Sequence, residues 1–372
     1  MTTRVLFSAV PIHGHLLPLL PLARAVAAAG DHPLVAVPES MTDLTDGLPV
    51  RVYGPGIELL LAETARRTGG APMSDYEAVA ELFAGTRPDL TYGEALRHAH
   101  QQQPALIVAD EYDVIGPMLA SALDIPLVQH AIGLPVSPPQ LATAMRTRTE
   151  LRYAQLSLKP VDPLALVDPW PPALQQPQWN RPPDRLAIRL PPYATATARP
   201  RVPAPAEGRP RVLITLGTVI LDRDLLDALI DAVAALDTVD VVALIPPGVD
   251  HPLIDARAHV RILPFTPIAD LLDEVAVVVS AGGAGTVLAA LGRAIPMVVL
   301  PLGAEKPMNA ERVAAAGAGI TISDPRSAGG AVAAVLADPS YTAAVGHLAA
   351  QINAAPEPVQ VWQALREALF DA

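Results

Sequence analysis

Two stretches of this 372-residue chain bring together residue types that do chemistry. The first, Val275 to Ala318, is VAVVVSAGGAGTVLAALGRAIPMVVLPLGAEKPMNAERVAAAGA. It reads as an apolar strand, a glycine-rich turn, a helix, a second apolar strand and a helix start carrying Asn309. That order gathers backbone N–H groups at the positive end of a helix, which suits a phosphate. Gly282, Gly283 and Gly285, set around Ala284, let the backbone approach a ligand closely, and Thr286 adds a hydroxyl donor. The spacing is not GxGxxG, and no GKS or GKT follows, so neither a dinucleotide fingerprint nor a P-loop is present. A nucleotide-diphosphate site remains, beside the plainer alternative of a βαβ unit whose glycines only permit close packing.

The second stretch is PIHGHLLP (11–18), directly after the apolar run RVLFSAV. A neutral imidazole, with an ordinary pKa of about 6.5, can take a proton from an attacking hydroxyl. Loops at strand C-termini are where open α/β sheets bind ligands. His13 and His15 are both placed for such a role, and either can instead cap the following helix or bond backbone.

Positioning these groups requires strands alternating with helices. RVLFSAV (4–10), PLVAVP (33–38), ALIVAD (105–110) and IPLVQHA read as strands, with helices through 16–30, where Gly30 suits a C-cap, and through VIGPMLASAL. This implies a parallel sheet covered on both faces. From Leu134 to Pro210 the pattern dissolves into proline-dense sequence, interrupted by helical turns from Leu141 to Leu158. After Arg211 the alternation restarts with RVLITLGT, LLDALIDAVAAL and VDVVALIP. The last helix, PVQVWQALREALF (358–370), is amphipathic, with Val361, Leu365 and Leu369 on one face. Trp170 and Trp179, in the proline-dense part, suit either an acceptor pocket or simple core packing.

The length allows two domains, and 51% hydrophobic residues can fill their cores. Only 17% of residues are charged and the net charge is −12, which argues against nucleic acid or an anionic membrane as partner. The absence of cysteine excludes disulfides, thiolate zinc sites and cysteine nucleophiles. No signal peptide and no run of about 20 apolar residues is read, so a cytoplasmic protein without integral membrane association is expected.

GGAGT followed by a helix, IPMVVLP and GAEKPMNAERVAAAGAG resemble the donor-site signature of the family 1 glycosyltransferases, in their bacterial natural-product (antibiotic and macrolide) branch. The resemblance covers essentially the whole chain and is strongest over the last half. It implies an α/β GT-B fold: two Rossmann-like, doubly wound parallel-sheet domains facing across a cleft. Residues 1–190 would bind the acceptor, 191–210 form a proline-rich linker, 211–355 bind the nucleotide sugar, and helix 356–372 cross back to the first domain. The implied enzyme is an inverting, metal-independent, hexosyl-type glycosyltransferase with no cofactor. A nucleotide-diphosphate sugar, expected to be a dTDP-linked deoxysugar, is its co-substrate, and a hydrophobic natural product its acceptor for O- or C-glycosylation.

In the family pattern Gly-His-x-x-Pro marks the base, which maps to His15, with His13 as the runner-up on the acceptor side. The orienting acid maps to Asp110 at the end of LIVAD, with Glu111 and Asp113 close enough to leave the register open. A cap on the helix entering at Val114 is the other reading of Asp110. Gly217 and Thr218 would contact the diphosphate. Phe265 stands where a tryptophan usually stacks on the donor base, beside Thr266. Three departures concern charge. Ala281, after Ser280, replaces the usual phosphate-contacting histidine, and Glu305-Lys306 replaces an Asp-Gln pair that holds sugar hydroxyls. Losing a charge-assisted contact costs about 1.5–3 kcal/mol. Lys306 either supplies the missing charge, or the chain is a catalytically impaired auxiliary partner of another biosynthetic enzyme. A homodimer is left open.

Overall fold

The computed structural model describes residues 2–134, 139–194, 202, 204–205, 208–251 and 257–371. Among the described residues, thirteen strands run in chain order: β1 (Arg4–Ser8), β2 (His32–Val37), β3 (Val50–Val52), β4 (Leu106–Asp110), β5 (Leu127–His130), β6 (Ala165–Asp168), β7 (Arg185–Ala187), β8 (Arg211–Thr215), β9 (Asp240–Leu244), β10 (Val260–Leu263), β11 (Val275–Ser280), β12 (Met297–Val299) and β13 (Gly319–Thr321). The helices are α1 (His13–Leu16), α2 (Leu20–Ala28), α3 (Ile57–Arg67), α4 (Tyr76–Ala80), α5 (Arg87–Gln102), α6 (Ile115–Leu123), α7 (Pro139–Gln155), α8 (Arg223–Ala234), α9 (Ala284–Gly292), α10 (Lys306–Ala315), α11 (Ala328–Ala337), α12 (Pro339–Asn353) and α13 (Pro358–Asp371).

The chain forms two compact units, one of Met1–Pro169, Asn180–Leu190 and Pro356–Ala372, the other of Trp170–Trp179 and Pro191–Ala355. The first holds a seven-stranded sheet of order β3-β2-β1-β4-β5-β6-β7, and every pairing is parallel. Strand side chains alternate between its faces. Val5, Phe7, Val35 and Val108 enter one core, and Leu6, Leu34, Ile107 and Ala109 the other. Burial on both faces explains why these strands are continuously apolar. The chain order reverses between β1 and β4, which pair directly with Ser8 opposite Ala109. Such a switch point leaves a crevice outside the strand C-termini, and the loops after β1 and β4 flank it.

The second unit repeats this logic with a six-stranded parallel sheet of order β10-β9-β8-β11-β12-β13. Its switch point lies between β8 and β11, with Thr215 opposite Ser280. Gly217 and the GGAGT turn therefore leave the sheet side by side.

Three sequence expectations need correction. Residues 16–30 are not one helix: α1, a 3-10 turn (Leu17–Leu19) and α2 follow each other, with Pro18 and Pro21 opening the second and third pieces. The proline-dense region contains α7 and two strands, β6 and β7, which extend the first sheet beyond β5. They are short strands toward one edge of the sheet, where flanking prolines cost few ladder hydrogen bonds. Trp170–Trp179, expected within a 1–190 domain, packs with the second unit. Of the expected 191–210 linker, residues 195–201, 203 and 206–207 lie outside the described residues. Helix α13 lies in the first unit, burying Val361, Trp362 and Leu365 in the same core as Phe7. The Trp362 indole donates to Asp31 Oδ2 at 3.0 Å, while Asp31 Oδ1 accepts from the Thr3 amide at 2.8 Å. Among the described residues no helix is long and apolar enough to cross a membrane.

Candidate active site

At the first switch point the structure brings His15 and Asp110 together. Asp110 ends β4 with no exposed surface. Its Oδ2 accepts from the Val10 amide at 2.7 Å, and its Oδ1 accepts from the Tyr112 amide at 2.8 Å. The same Oδ1 lies 3.1 Å from His15 Nδ1. Both carboxylate oxygens accept from backbone amides, so at Oδ1 the imidazole is the donor: Nδ1 carries the hydrogen and Nε2 keeps its lone pair. His15 is 12% exposed at its side chain. Its ring sits 5.7 Å from that of Phe83 and 5.8 Å from that of Tyr112. Half-buried His13 has its pKa lowered by burial, which favours a neutral ring.

The three neighbouring carboxylates have separate tasks. Asp113, rather than Asp110, starts helix α6, accepting from the amides of Ile115 at 3.0 Å and Gly116 at 3.1 Å. It also pairs with buried Arg87, whose other guanidinium nitrogen donates to the Ala9 carbonyl at 2.8 Å. Glu111 accepts from the Ile132 amide at 3.1 Å, and burial pushes its carboxyl up to about 8. The cap reading of Asp110 therefore does not hold. Sequence reasoning missed Arg87, Phe83 and Tyr112; the available signals were an arginine before a proline and an aromatic residue in a chain with few.

In the second unit the turn after β11 has the form expected of a phosphate nest. Gly282 has φ +86°, and a Cβ there would lie 2.8 Å from a Val299 methyl, so only glycine fits. Ser280 Oγ accepts from the Gly282 amide at 3.2 Å. Gly283 is the N-cap of α9 and supplies no side-chain cap, so the first amides of the helix, from Ala284 to Thr286, keep their donors for a ligand. Nothing lies within 4 Å of where a Cβ on Gly283 or Gly285 would stand. Beside this turn, Gly217 has φ +78° and its amide donates to Thr215 Oγ1 at 3.1 Å, with Thr218 following half-buried.

Helix α10 closes the nest from below. Asn309, fully buried, donates from Nδ2 to the Gly282 carbonyl at 2.9 Å and pins the turn to the helix. Lys306 is the first residue of α10 and only 8% exposed, and its carbonyl borders the Gly282 Cα. A lysine in the first turn of a helix adds to the positive end of the helix dipole, a setting that favours a bound anion. Glu305, half-buried, precedes it without capping the helix. Buried Ala281 contributes no charge. Phe265 and Thr266 follow β10, two strands from β8, at the same end of the sheet. Phe265 is half-buried, and Thr266 Oγ1 donates to the Pro264 carbonyl at 2.9 Å.

A further assignment changes. Trp170 has no exposed surface and Trp179 is half-buried; both belong to the second unit rather than the first. The chain contains an Asp-x-Asp, Asp222-Arg223-Asp224, and Asp222 is spent as the N-cap of α8, accepting from the Leu225 amide at 3.0 Å.

Residues 227–368 match the family model described as erythromycin biosynthesis protein CIII-like, C-terminal domain. The chain is 30% identical over 377 residues to the elloramycin glycosyltransferase ElmGT of Streptomyces olivaceus, covering 96% of this chain and 95% of ElmGT. The chain belongs to the bacterial natural-product branch of the family 1 glycosyltransferases. Solved glycosyltransferases share its GT-B fold. The spinosyn rhamnosyltransferase SpnG superposes with a TM-score of 0.83 at 27% identity, covering 100% of both chains. SnogD from Streptomyces nogalater superposes with a TM-score of 0.83 at 26% identity, covering 99% of both. SpnG has also been solved with thymidine diphosphate and with spinosyn aglycone. In this glycosyltransferase the sites derived above thus lie on a chain that its relatives match from end to end.

Proposed function

We propose that this glycosyltransferase moves a deoxysugar from a dTDP-linked donor to a hydrophobic natural-product acceptor, with inversion and without a metal ion. The observation that carries the reading is the Asp110–His15 bond, which leaves Nε2 of His15 as a base. The acceptor O–H gives its proton to Nε2 while its oxygen attacks the anomeric carbon; in C-transfer the deprotonated phenol attacks through a ring carbon, which loses its own hydrogen afterwards as aromaticity returns. The bond from the anomeric carbon to the diphosphate oxygen breaks on the opposite face, which inverts the centre. Asp110 stabilises the imidazolium that forms. Negative charge on the departing diphosphate falls to the amides opening α9 and to Lys306. A thymidine nucleotide is favoured because SpnG binds thymidine diphosphate, and a hydrophobic acceptor because SpnG binds an aglycone.

Apolar Ala281 favours a second reading, an auxiliary protein with impaired donor binding. Calorimetric titration with thymidine and uridine diphosphates separates the two. The enzyme reading expects micromolar binding of thymidine diphosphate, weaker for uridine. No heat at millimolar nucleotide would leave only the auxiliary role.

A further inference from the structure

The helical stretch leading from α4 into α5 is unbroken from Tyr76 to Gln102, but Glu81–Thr86 is a π-helical turn. Its defining bond runs from the Arg87 amide to the Leu82 carbonyl, five residues back. The sequence explains the widening. Pro88 has no N–H to give the Ala84 carbonyl, and its ring would collide with that carbonyl in a regular α-helix. Gly85 allows the turn to close on itself, because a Cβ there would strike the Glu81 carboxylate. That carboxylate is tied down by Thr86 Oγ1 at 3.2 Å, Arg67 at 3.2 Å and Arg148 at 3.3 Å. π-Turns are rare and recur at functional sites.

What the turn accomplishes is visible at its two ends. Phe83 points from it into a small apolar cluster with Val10 and Leu82, against which Ile12 and Tyr112 pack. Val10 and Ile12 are the residues that lead into α1. Arg87, at the other end, grips the Ala9 carbonyl and Asp113. The loop carrying His15 is thus held at Ala9 by one end of the turn and at Val10 and Ile12 by the other. The imidazole itself meets Phe83 at 58° and Tyr112 at 74°, with ring centroids 5.7 and 5.8 Å away. A four-residue helix such as α1 is too short to hold a side chain rigidly by its own bonds. One hydrogen bond to Asp110 fixes an edge of the ring but not its plane.

We propose that Phe83, carried on this π-helical turn, is a positioning residue for sugar transfer: it walls the His15 ring into the orientation that gives Nδ1 to Asp110 and keeps Nε2 for the acceptor. The assignment rests on His15 being the base. Phe83 touches neither substrate in this account and acts only through His15.

The test compares Phe83→Leu, which keeps an apolar side chain of similar size, with His15→Ala and the unaltered enzyme. Displacing a catalytic group by about 1 Å costs on the order of a hundredfold. Phe83→Leu is therefore expected to lower kcat about ten- to a hundredfold while thymidine diphosphate affinity, set by the second unit, stays unchanged. In 15N spectra of the histidines, the wild-type His15 ring should be a single Nδ1–H tautomer and the Phe83→Leu ring a mixture. An unchanged kcat, or a lowered kcat with the tautomer still single, overturns the positioning role. If Phe83→Leu does not fold, Phe83→Met is read by the same rate and 15N spectrum, with the same outcomes. If His15→Ala still transfers sugar, the base reading falls and takes Phe83 with it. If His15→Ala is inactive but Phe83→Leu is not, the positioning role alone falls.

Discussion

Lys306 is the residue on which the proposed donor site turns. The residue is only 8% exposed at the start of α10, with its carbonyl and Cβ next to Gly282, where Ala281 offers no charge. If it neutralises the diphosphate, Lys306→Gln removes a charge-assisted contact of about 1.5–3 kcal/mol, or roughly ten- to a hundredfold in affinity. Titration of thymidine diphosphate into the variant reads this directly, and unchanged affinity would assign the charge elsewhere. Glu111 makes a different prediction. Burial is the main cause of its rise from 4.5 to about 8, so between these values the folded chain keeps a proton that the unfolded chain has lost. Its stabilising contribution is complete below about pH 4.5 and is lost as the pH rises toward 8. Glu111→Gln keeps an oxygen for the Ile132 amide and cannot ionise. Its melting temperature should decline less than that of the wild type over this window, and parallel curves would show that Glu111 is not the cause.

At the scale of elements, α13 is anchored by polar contacts to Asp31 inside an apolar seam. Asp31 is 5% exposed and takes both the Thr3 amide and the Trp362 indole. Trp362→Phe preserves most of the packing but removes the indole donor from a buried carboxylate, at a cost of about 1–3 kcal/mol. Urea unfolding should show that loss as a lower midpoint; an unmoved midpoint would mean Arg366, 3.5 Å from Asp31, already satisfies it. Elements were legible in proportion to how local their causes are. β1, β4, β8 and β11 announce themselves because burial on both faces demands continuous apolar runs. β6 and β7 do not, since strands of four and three residues among prolines carry almost no pattern. The π-turn is hidden for another reason: Pro88 marks a break, but whether the chain ends or widens there depends on where Glu81 and Arg87 find partners. The same holds for the acid beside His15. The resemblance maps that acid to Asp110, but Glu111 and Asp113 are near enough in sequence to leave the register open, and it is the β1–β4 pairing that sets Asp110 beside His15.

On the scale of the whole molecule, the chain uses one architectural idea in each unit. Both sheets are parallel, both reverse their order beside the first strand of the unit, and both place their chemistry in the loops flanking that reversal. The first reversal carries the His15–Asp110 pair, the second a turn of unpaired helix-start amides beside nearly buried Lys306. This division of labour predicts that damage to one set spares the other. The most direct measurement is the rate of sugar transfer by His15→Ala from dTDP-deoxysugars to a panel of polyketide acceptors, beside its affinity for thymidine diphosphate. General-base catalysis is worth about 10²–10⁴ in rate, so transfer should fall by that factor while thymidine diphosphate binds as in the wild type. Transfer within a few-fold of the wild type would contradict the account.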